Sequence, residues 1–129
     1  MDQIEFLELS DVMQIHVDQI ANYGGSIDIR DPNLLESAIE QPRATYGGAY
    51  LHTSPFEMAA AYLFHIVMNH PFVDGNKRTG TVAAIVFLEW NGIAIEAKPG
   101  EVSDLTLAVA SSQKGKREIA MFFESHQVH

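Results

Sequence analysis

Residues 70–80 read His-Pro-Phe-Val-Asp-Gly-Asn-Lys-Arg-Thr-Gly, and they join the two most apolar segments of the chain. The first segment, residues 55–69, follows Ser54 and begins with proline, which is the pattern of an N-cap and a first helical residue. The second, residues 79–90, stops at Asn91-Gly92. Both are apolar on almost every face, but each is well short of the roughly 20 residues that cross a bilayer. We therefore expect two buried core helices joined by a polar loop.

The remainder of the chain is typical of an all-α bundle of about six helices. Ser10 and Asp31 are candidate N-caps, the latter followed by proline. Residues 46–53 carry glycines and aromatics without a sustained period, which indicates a loop or a short extended flap, and residues 93–96 form a short extended piece. Apolar residues recur at helical spacing in four further segments, which are residues 10–23, 32–44, about 101–111 and about 115–125.

Composition limits the classes of function. The 129 residues are 47% hydrophobic, enough for one core, so we expect a single domain, 1–129. No cysteine is present, which excludes disulfides and thiolate metal sites. A net charge of -9, from 17 acidic residues against 8 Lys and Arg, disfavours direct binding to nucleic acid. The start, Met1-Asp2-Gln3-Ile4-Glu5, lacks the pattern of a secretory signal, so we expect a cytoplasmic protein with no membrane partner.

Residues 75–78 open the second core helix and read Gly-Asn-Lys-Arg. The first turn of a helix offers unpaired N–H groups and the positive end of the helix dipole, which together bind phosphate. Gly75 would let an oxygen approach the backbone, and Asn76 is a favoured N-cap. Lys77 and Arg78 add charge-assisted donors, a pair that suits a nucleotide triphosphate. Taken alone, these four residues are more typical of an ordinary exposed helix start.

The part of the motif that precedes Gly75 extends the hypothesis of a nucleotide site. Asp74 would repel bare phosphates but could hold a magnesium ion bound to them, although a carboxylate also favours a helix N-terminus for structural reasons. His70 could take a proton from an incoming hydroxyl, although a histidine at a helix C-terminus often serves as a cap. Phe72 is expected to be buried and to anchor the loop.

Other histidines and a basic run have no predicted function. His65 and His70 would lie on different faces of a helix, so a metal-binding pair is rejected. Residues 114–117, Lys-Gly-Lys-Arg, indicate a solvated turn between helices. No role is assigned to His16 or His52. His126 and His129 are assigned no role either, because they lie in a terminal tail that we expect to fray.

As one string, residues 70–80 closely resemble the signature of the Fic/Doc family, with His, Phe, Asp, Gly, Asn and Arg at the family's spacing. Residues 9–25, 30–39 and 41–48 are similar to the death-on-curing (Doc) branch. The resemblance implies a Fic-fold helical bundle, with a central helix-loop-helix that carries the motif.

The resemblance also implies a role for each motif residue. His70 would activate the target hydroxyl, and Asp74 would hold Mg²⁺. The phosphates of ATP would be bound by Gly75, Asn76, Lys77 and Arg78, with Phe72 as the anchor.

Two departures from the AMP-transferring pattern separate the possible activities. This chain has Lys77 where that pattern has glycine, and Thr81 where it has a second arginine. The Doc branch shares the lysine and resembles protein kinases that bind ATP reversed and modify a threonine of a translational GTPase, elongation factor Tu. Phosphoryl transfer that arrests growth is therefore the implied activity. Transfer of AMP to a Ser, Thr or Tyr hydroxyl, and a noncatalytic binding module, remain as alternatives.

The resemblance implies partners as well. Residues 53–57 begin like the inhibitory helix of autoinhibited relatives but continue with Met58, so restraint is expected from a small cognate antitoxin whose helix docks on the toxin. The flap is the expected docking segment for the protein target, by strand addition. Its predicted residues are Gly47, Gly48, Ala49, Tyr50 and Leu51.

Overall fold

The computed structural model describes residues 3–129, which form six α-helices and one two-stranded hairpin. No helix in this range is long and apolar enough to cross a membrane. The predicted absence of a secretory signal rests partly on Met1 and Asp2, which lie outside the described residues. In chain order the elements are α1 (Leu9–Tyr23), α2 (Pro32–Glu40), β1 (Thr45–Tyr46), β2 (Ala49–Tyr50), α3 (Pro55–Asn69), α4 (Asn76–Trp90), α5 (Glu101–Ala110) and α6 (Lys116–Ser125).

Helix α3 is the centre of the bundle. It packs against α2, α4, α5 and α6, while α1 packs against α4. The Ser54 hydroxyl accepts a hydrogen bond from the Glu57 N–H at 3.2 Å and caps the helix as predicted. A helix with neighbours on so many sides must be apolar nearly all round, which explains its sequence. The prediction of an all-α bundle with a central helix-loop-helix is confirmed.

Gly80 sets the distance between the two core helices. A Cβ at this position would lie 3.1 Å from Cγ2 of Val67 and 3.2 Å from the carbonyl oxygen of Leu63 on α3. Both distances are tighter than most Cβ contacts, so a larger residue would require α3 to shift by a few tenths of an ångström, which glycine avoids. The close packing of α3 on α4 holds both ends of the intervening loop at fixed positions.

The predicted start of α1 and the predicted end of α2 are wrong. Helix α1 begins at Leu9 with Glu8 as its N-cap, not Ser10, because the Asp11 carboxylate accepts the Glu8 N–H at 2.8 Å. Helix α2 ends at Glu40 rather than near residue 44, and residues 41–43 form a single 3₁₀ turn. Pro42 lies in that turn, where it has no N–H to continue an α-helix.

The flap is a small antiparallel hairpin, so it is extended, which was one of the two predicted forms. Thr45 pairs with Tyr50, and Tyr46 pairs with Ala49. Gly47 and Gly48 form the turn, with φ of 61° and 83°. A two-residue hairpin turn of this kind requires positive φ at both positions, which favours glycine.

The C-terminal tail does not fray. The Val128 N–H donates to the Ala94 carbonyl at 2.9 Å, and the Glu96 N–H donates to the His126 carbonyl at 3.0 Å. These bonds pair the tail with the extended piece predicted at 93–96. The His126 ring also lies 3.1 Å from the Glu101 carboxylate. His126 therefore has a structural role, and the prediction that it has none was wrong.

Candidate active site

A cavity of about 310 Å³ opens at the N-terminus of α4. The loop and the first turn of α4 form one side of it, and the glycines that follow α1 form the other. The predicted histidine, aspartate and phosphate-binding residues therefore meet at one place. The residues that line it are Gly24, Gly25, His70, Val73, Asp74, Gly75, Asn76, Lys77 and Arg78.

Gly75 is the N-cap of α4, in the left-handed conformation with φ of 81°. A Cβ there would lie 3.1 Å from Cδ1 of Ile20 on α1. The Ile20 side chain thus lies close to the place that a side chain at position 75 would need. The conformation of Gly75 and its contact with α1 both favour glycine.

Asn76 is the first residue of α4 rather than its N-cap, and it is buried. Its Oδ1 accepts the Phe72 N–H at 2.9 Å, and its Nδ2 donates to the Phe72 carbonyl at 2.9 Å and to Nδ1 of His70 at 3.0 Å. The amide is fully used within the loop. Its predicted phosphate contact is therefore left to its backbone N–H, while its side chain fixes the loop and the histidine.

His70 caps the C-terminus of α3 in the left-handed conformation, with φ of 50°. Arg30 holds this turn, because its Nε donates to the His70 carbonyl at 2.6 Å and its guanidinium also donates to the Asn69 carbonyl at 2.9 Å. Since Asn76 donates to Nδ1, the neutral ring carries its proton on Nε2. The imidazole is exposed and lines the cavity through this arrangement.

Asp74 is held from two sides. The Ser26 N–H donates to its Oδ2 at 2.8 Å, and Nε2 of His16 lies 2.8 Å from its backbone carbonyl oxygen. A Cβ at Gly25 would lie only 3.0 Å from Cβ of Asp74, so the chain can pass this closely only with glycine. The carboxylate is thereby fixed at the cavity while its second oxygen forms no hydrogen bond within residues 3–129.

Phe72 is fully buried, as predicted. Its ring lies parallel to the His16 ring, with centroids 3.7 Å apart. His16 is 2% exposed and thus joins the buried face of α1 to the loop through both the Phe72 ring and the Asp74 carbonyl. Assigning no role to His16 was wrong.

The sequence also did not predict the backbone hydrogen bonds that join residues 28–31 to the loop. The Arg30 and Asp31 N–H groups donate to the Pro71 carbonyl at 2.7 and 2.9 Å, and the Val73 N–H donates to the Asp28 carbonyl at 3.0 Å. No local pattern predicts such pairing over some 40 residues of chain. His16 did carry a signal, because a polar residue on the apolar stripe of a helix needs a buried partner.

Lys77 and Arg78 supply the positive charge. Both side chains are exposed, and the Arg78 guanidinium lies 4.6 Å from the centre of the Tyr23 ring. Two cations, the free N–H groups of a helix start and one carboxylate are a suitable donor set for a polyphosphate with its metal, because Mg²⁺ typically takes one or two carboxylates plus phosphate oxygens. Within residues 3–129, no group of three or more His, Asp or Glu could hold a metal alone.

A second histidine cluster, formed by His52, His65 and Lys116, lies between α3 and α6. Nζ of Lys116 is 3.2 Å from Nε2 of His65 and 3.4 Å from Nε2 of His52. Burial, followed by the charge of Lys116, lowers the pKa of His65 to about 4 and also lowers the pKa of His52. Lys116 is thus part of a half-buried contact, so the prediction of a simple solvated turn at 114–117 was wrong for this residue.

Comparisons with known proteins identify the family. Residues 6–88 match the model of the Fic/DOC family, a stretch that contains the whole loop. A protein of Mycolicibacterium smegmatis named toxin Doc is 40% identical over 93 residues, which cover 72% of this chain and 69% of the relative. Protein kinase doc of Escherichia phage P1 is 32% identical over 110 residues, which cover 85% of this chain and 86% of the relative. The chain belongs to the Fic/DOC family.

Proposed function

We propose that this protein is the toxin of a toxin-antitoxin module and acts as a protein kinase. It would transfer the γ-phosphate of ATP to a hydroxyl of a translation factor, of the elongation factor Tu class, in the cytoplasm, and so arrest growth. The carrying observation is that His70, Asp74 and the cationic start of α4 line one cavity. The names of the two relatives, toxin Doc and protein kinase doc, support the same reading.

The phosphates of ATP would lie against the first turn of α4. Backbone N–H groups there point along the helix axis, and Lys77 and Arg78 add two positive charges, so a polyanion is favoured. Asp74 would hold Mg²⁺, which neutralises charge on the phosphate oxygens when bound. This placement leaves the terminal phosphate within the cavity that His70 lines.

The chemical step needs a base at His70. The oxygen of the target hydroxyl bonds to the γ-phosphorus, the bond from that phosphorus to the bridging β-γ oxygen breaks, ADP leaves, and the hydroxyl proton goes to the imidazole. The ring as held by Asn76 carries its proton on Nε2, so accepting a proton at Nε2 requires that the proton first move to Nδ1. We infer that Asn76 releases Nδ1 as the hydroxyl binds.

Thr81 supports phosphoryl transfer over AMP transfer. Its hydroxyl lies 2.9 Å from both the Lys77 carbonyl and the Thr106 hydroxyl, so it is occupied within the bundle. It offers no cation in place of the second arginine of AMP-transferring relatives. Phosphates that are bound by that arginine in AMP-transferring relatives therefore have no equivalent cation at position 81.

Two protein partners complete the proposal. A cognate antitoxin would restrain the toxin by docking a helix on it. The target would dock on the hairpin, where Thr45, Tyr46 and Ala49 are exposed and the strands have open edges for a third strand. Leu51, which follows β2, is 58% exposed and would add an apolar contact.

Labelled ATP tests the proposal. Lysate incubated with the toxin, purified free of antitoxin, should take up label from γ-labelled ATP and not from α-labelled ATP. The reverse pattern would establish AMP transfer instead. Growth arrest that persists in His70→Ala, with no label transfer that depends on either form of the toxin, would point to a noncatalytic binding module.

A further inference from the structure

An extended segment, residues 26–30, runs beside the loop at α4 like the outer strand of a sheet. Ile29 lies opposite Phe72 in an antiparallel bridge. The backbone hydrogen bonds that Asp28 and Arg30 form with the loop flank this bridge on both sides. The segment is therefore held at a fixed position, with its inner edge paired to the loop.

The outer edge of this segment, named the 26–30 edge, has no backbone partner. Alternate residues of an extended chain point their N–H and C=O groups in opposite directions. The groups of Asp28 and Arg30 point toward the loop, so those of Ile27 and Ile29 point away from it. Neither isoleucine forms a backbone hydrogen bond within residues 3–129, and Ile27 is 62% exposed. The edge is thus open to a strand from another chain.

The hairpin lies at the other end of α3 from His70. Its residues Thr45 and Tyr50 share a cavity with Met58 in the first turns of α3, whereas His70 ends that helix. At about 1.5 Å per residue, α3 advances about 18 Å from Met58 to His70. A target strand on the hairpin must therefore continue for about six extended residues before it reaches the imidazole. A second contact nearer to His70 would fix the part of the target that carries the hydroxyl.

The 26–30 edge adjoins the catalytic cavity. Residues 24–25 line that cavity and lead directly into the edge, and Val73, which pairs with Asp28, lines it as well. The Ser26 N–H also donates to the Asp74 carboxylate. A strand paired with this edge would therefore run along the rim of the cavity. The occupant is the segment of the target that flanks the acceptor hydroxyl, because this hydroxyl must enter the same cavity.

The side chains along the edge indicate which target residues fit. Ile27 is 62% exposed and Val73 is 46% exposed, so both offer apolar surface beside the cavity. Asp28 is an exposed acid between them in a chain with a net charge of -9. Apolar and basic residues next to the hydroxyl are therefore favoured, and acidic ones are repelled.

We propose that an extended segment of the protein target adds a strand to the 26–30 edge and thereby places its hydroxyl at His70. Main-chain hydrogen bonds to Ile27 and Ile29 hold the segment, and neighbouring side chains of the target contact Ile27 and Asp28. This inference rests on the proposed function, since it requires a protein target. It adds a docking site that is separate from the hairpin and closer to the chemistry.

Kinetics with γ-labelled ATP and purified elongation factor Tu as the probe test the inference. Ile27→Ala removes the branched side chain and keeps the N–H, whereas Ile27→Pro removes both. The KM for elongation factor Tu should be about tenfold higher in Ile27→Pro than in Ile27→Ala, the usual effect of one lost hydrogen bond. The Kd of Mg²⁺-ATP, measured by calorimetry, should be the same in both variants and in the wild type.

A measurement on the wild type covers the case in which Ile27→Pro fails to fold. In the ¹⁵N-labelled protein, the amide signals of Ile27 and Ile29 should shift when elongation factor Tu is added. Equal KM values in the two variants, or amide signals that stay in place while label is transferred, would overturn the inference and leave the kinase activity intact. A change of oligomeric state in Ile27→Pro with no change in KM would assign the edge to a second copy instead. If the wild type transferred no label to elongation factor Tu, the proposed function would fail and the inference with it.

Discussion

Histidine lies beside lysine or arginine both in the loop at α4 and in the second histidine cluster, and the two regions differ in geometry. In the loop at α4, Asn76 holds Nδ1 of His70 and the ring lines an open cavity beside free N–H groups. In the second histidine cluster, Lys116 lies on Nε2 of both His52 and His65. There Nε2 of each ring already has the lysine ammonium as its hydrogen-bond donor. A histidine near a cation is therefore no sign of catalysis unless its reactive nitrogen faces a place for the substrate.

The largest expected difference between the two regions is in activity. His70→Ala should reduce γ-phosphate transfer by about a hundredfold or more, the usual contribution of a general base. His65→Ala, the matched change in the second histidine cluster, should leave the rate within about twofold, since transfer does not use this ring. Initial rates with γ-labelled ATP measure both. Equal losses in the two variants would remove the distinction.

A smaller effect should follow from the glycines after α1. Gly24→Ala and Gly25→Ala both place a side chain at positive φ, of 88° and 115°, and should each cost about 1–3 kcal/mol of stability. Only the second places its Cβ 3.0 Å from Cβ of Asp74. Gly25→Ala should therefore weaken Mg²⁺-ATP binding by about 10- to 100-fold, as when the support of a metal ligand is disturbed. Denaturant unfolding and calorimetry separate the two effects. Matching losses of ATP affinity in both variants would argue against a specific role for Asp74.

The smallest effect concerns pH and belongs to the second histidine cluster. The folded-state pKa of His65, about 4, lies below the usual value of about 6.5, so the unfolded chain takes up protons first as pH falls. The contribution of neutral His65 to the free energy of unfolding is therefore complete above about pH 6.5 and is lost as pH falls toward about 4. Lys116→Met removes one cause of the shift and should reduce this loss. The measurement is the fall in Tm between about pH 7 and about pH 5, compared with Lys114→Met, which changes an exposed lysine. A fall that is the same in all three proteins would show that Lys116 does not influence the pKa of His65.

The core helices and the loop could be predicted because their signals are local. Ser54 and Pro55 start α3, two apolar runs are long enough for core helices, and the string at 70–80 is contiguous. Pro42 also carried a local signal, and the end of α2 could have been placed before it.

The support of the site could not be predicted in the same way. His16, Ser26 and Arg30 reach residues 40 to 58 positions away, and such contacts depend on how the helices pack. The side-chain surroundings of two motif residues could not be predicted for the same reason. Gly75 faces α1 and Asn76 bonds inside the loop, which spacing alone does not reveal.

The central claim is that polyphosphate binds at the start of α4 and not at the second histidine cluster. Backbone amide chemical shifts of the ¹⁵N-labelled, antitoxin-free protein, recorded during titration with Mg²⁺-ATP, locate the ligand directly. The amides of Gly75, Asn76, Lys77 and Arg78 should shift most, and those of His52, His65 and Lys116 should stay in place. Shifts centred on Lys116, or no shifts at 75–78 at saturating ATP, would contradict the account.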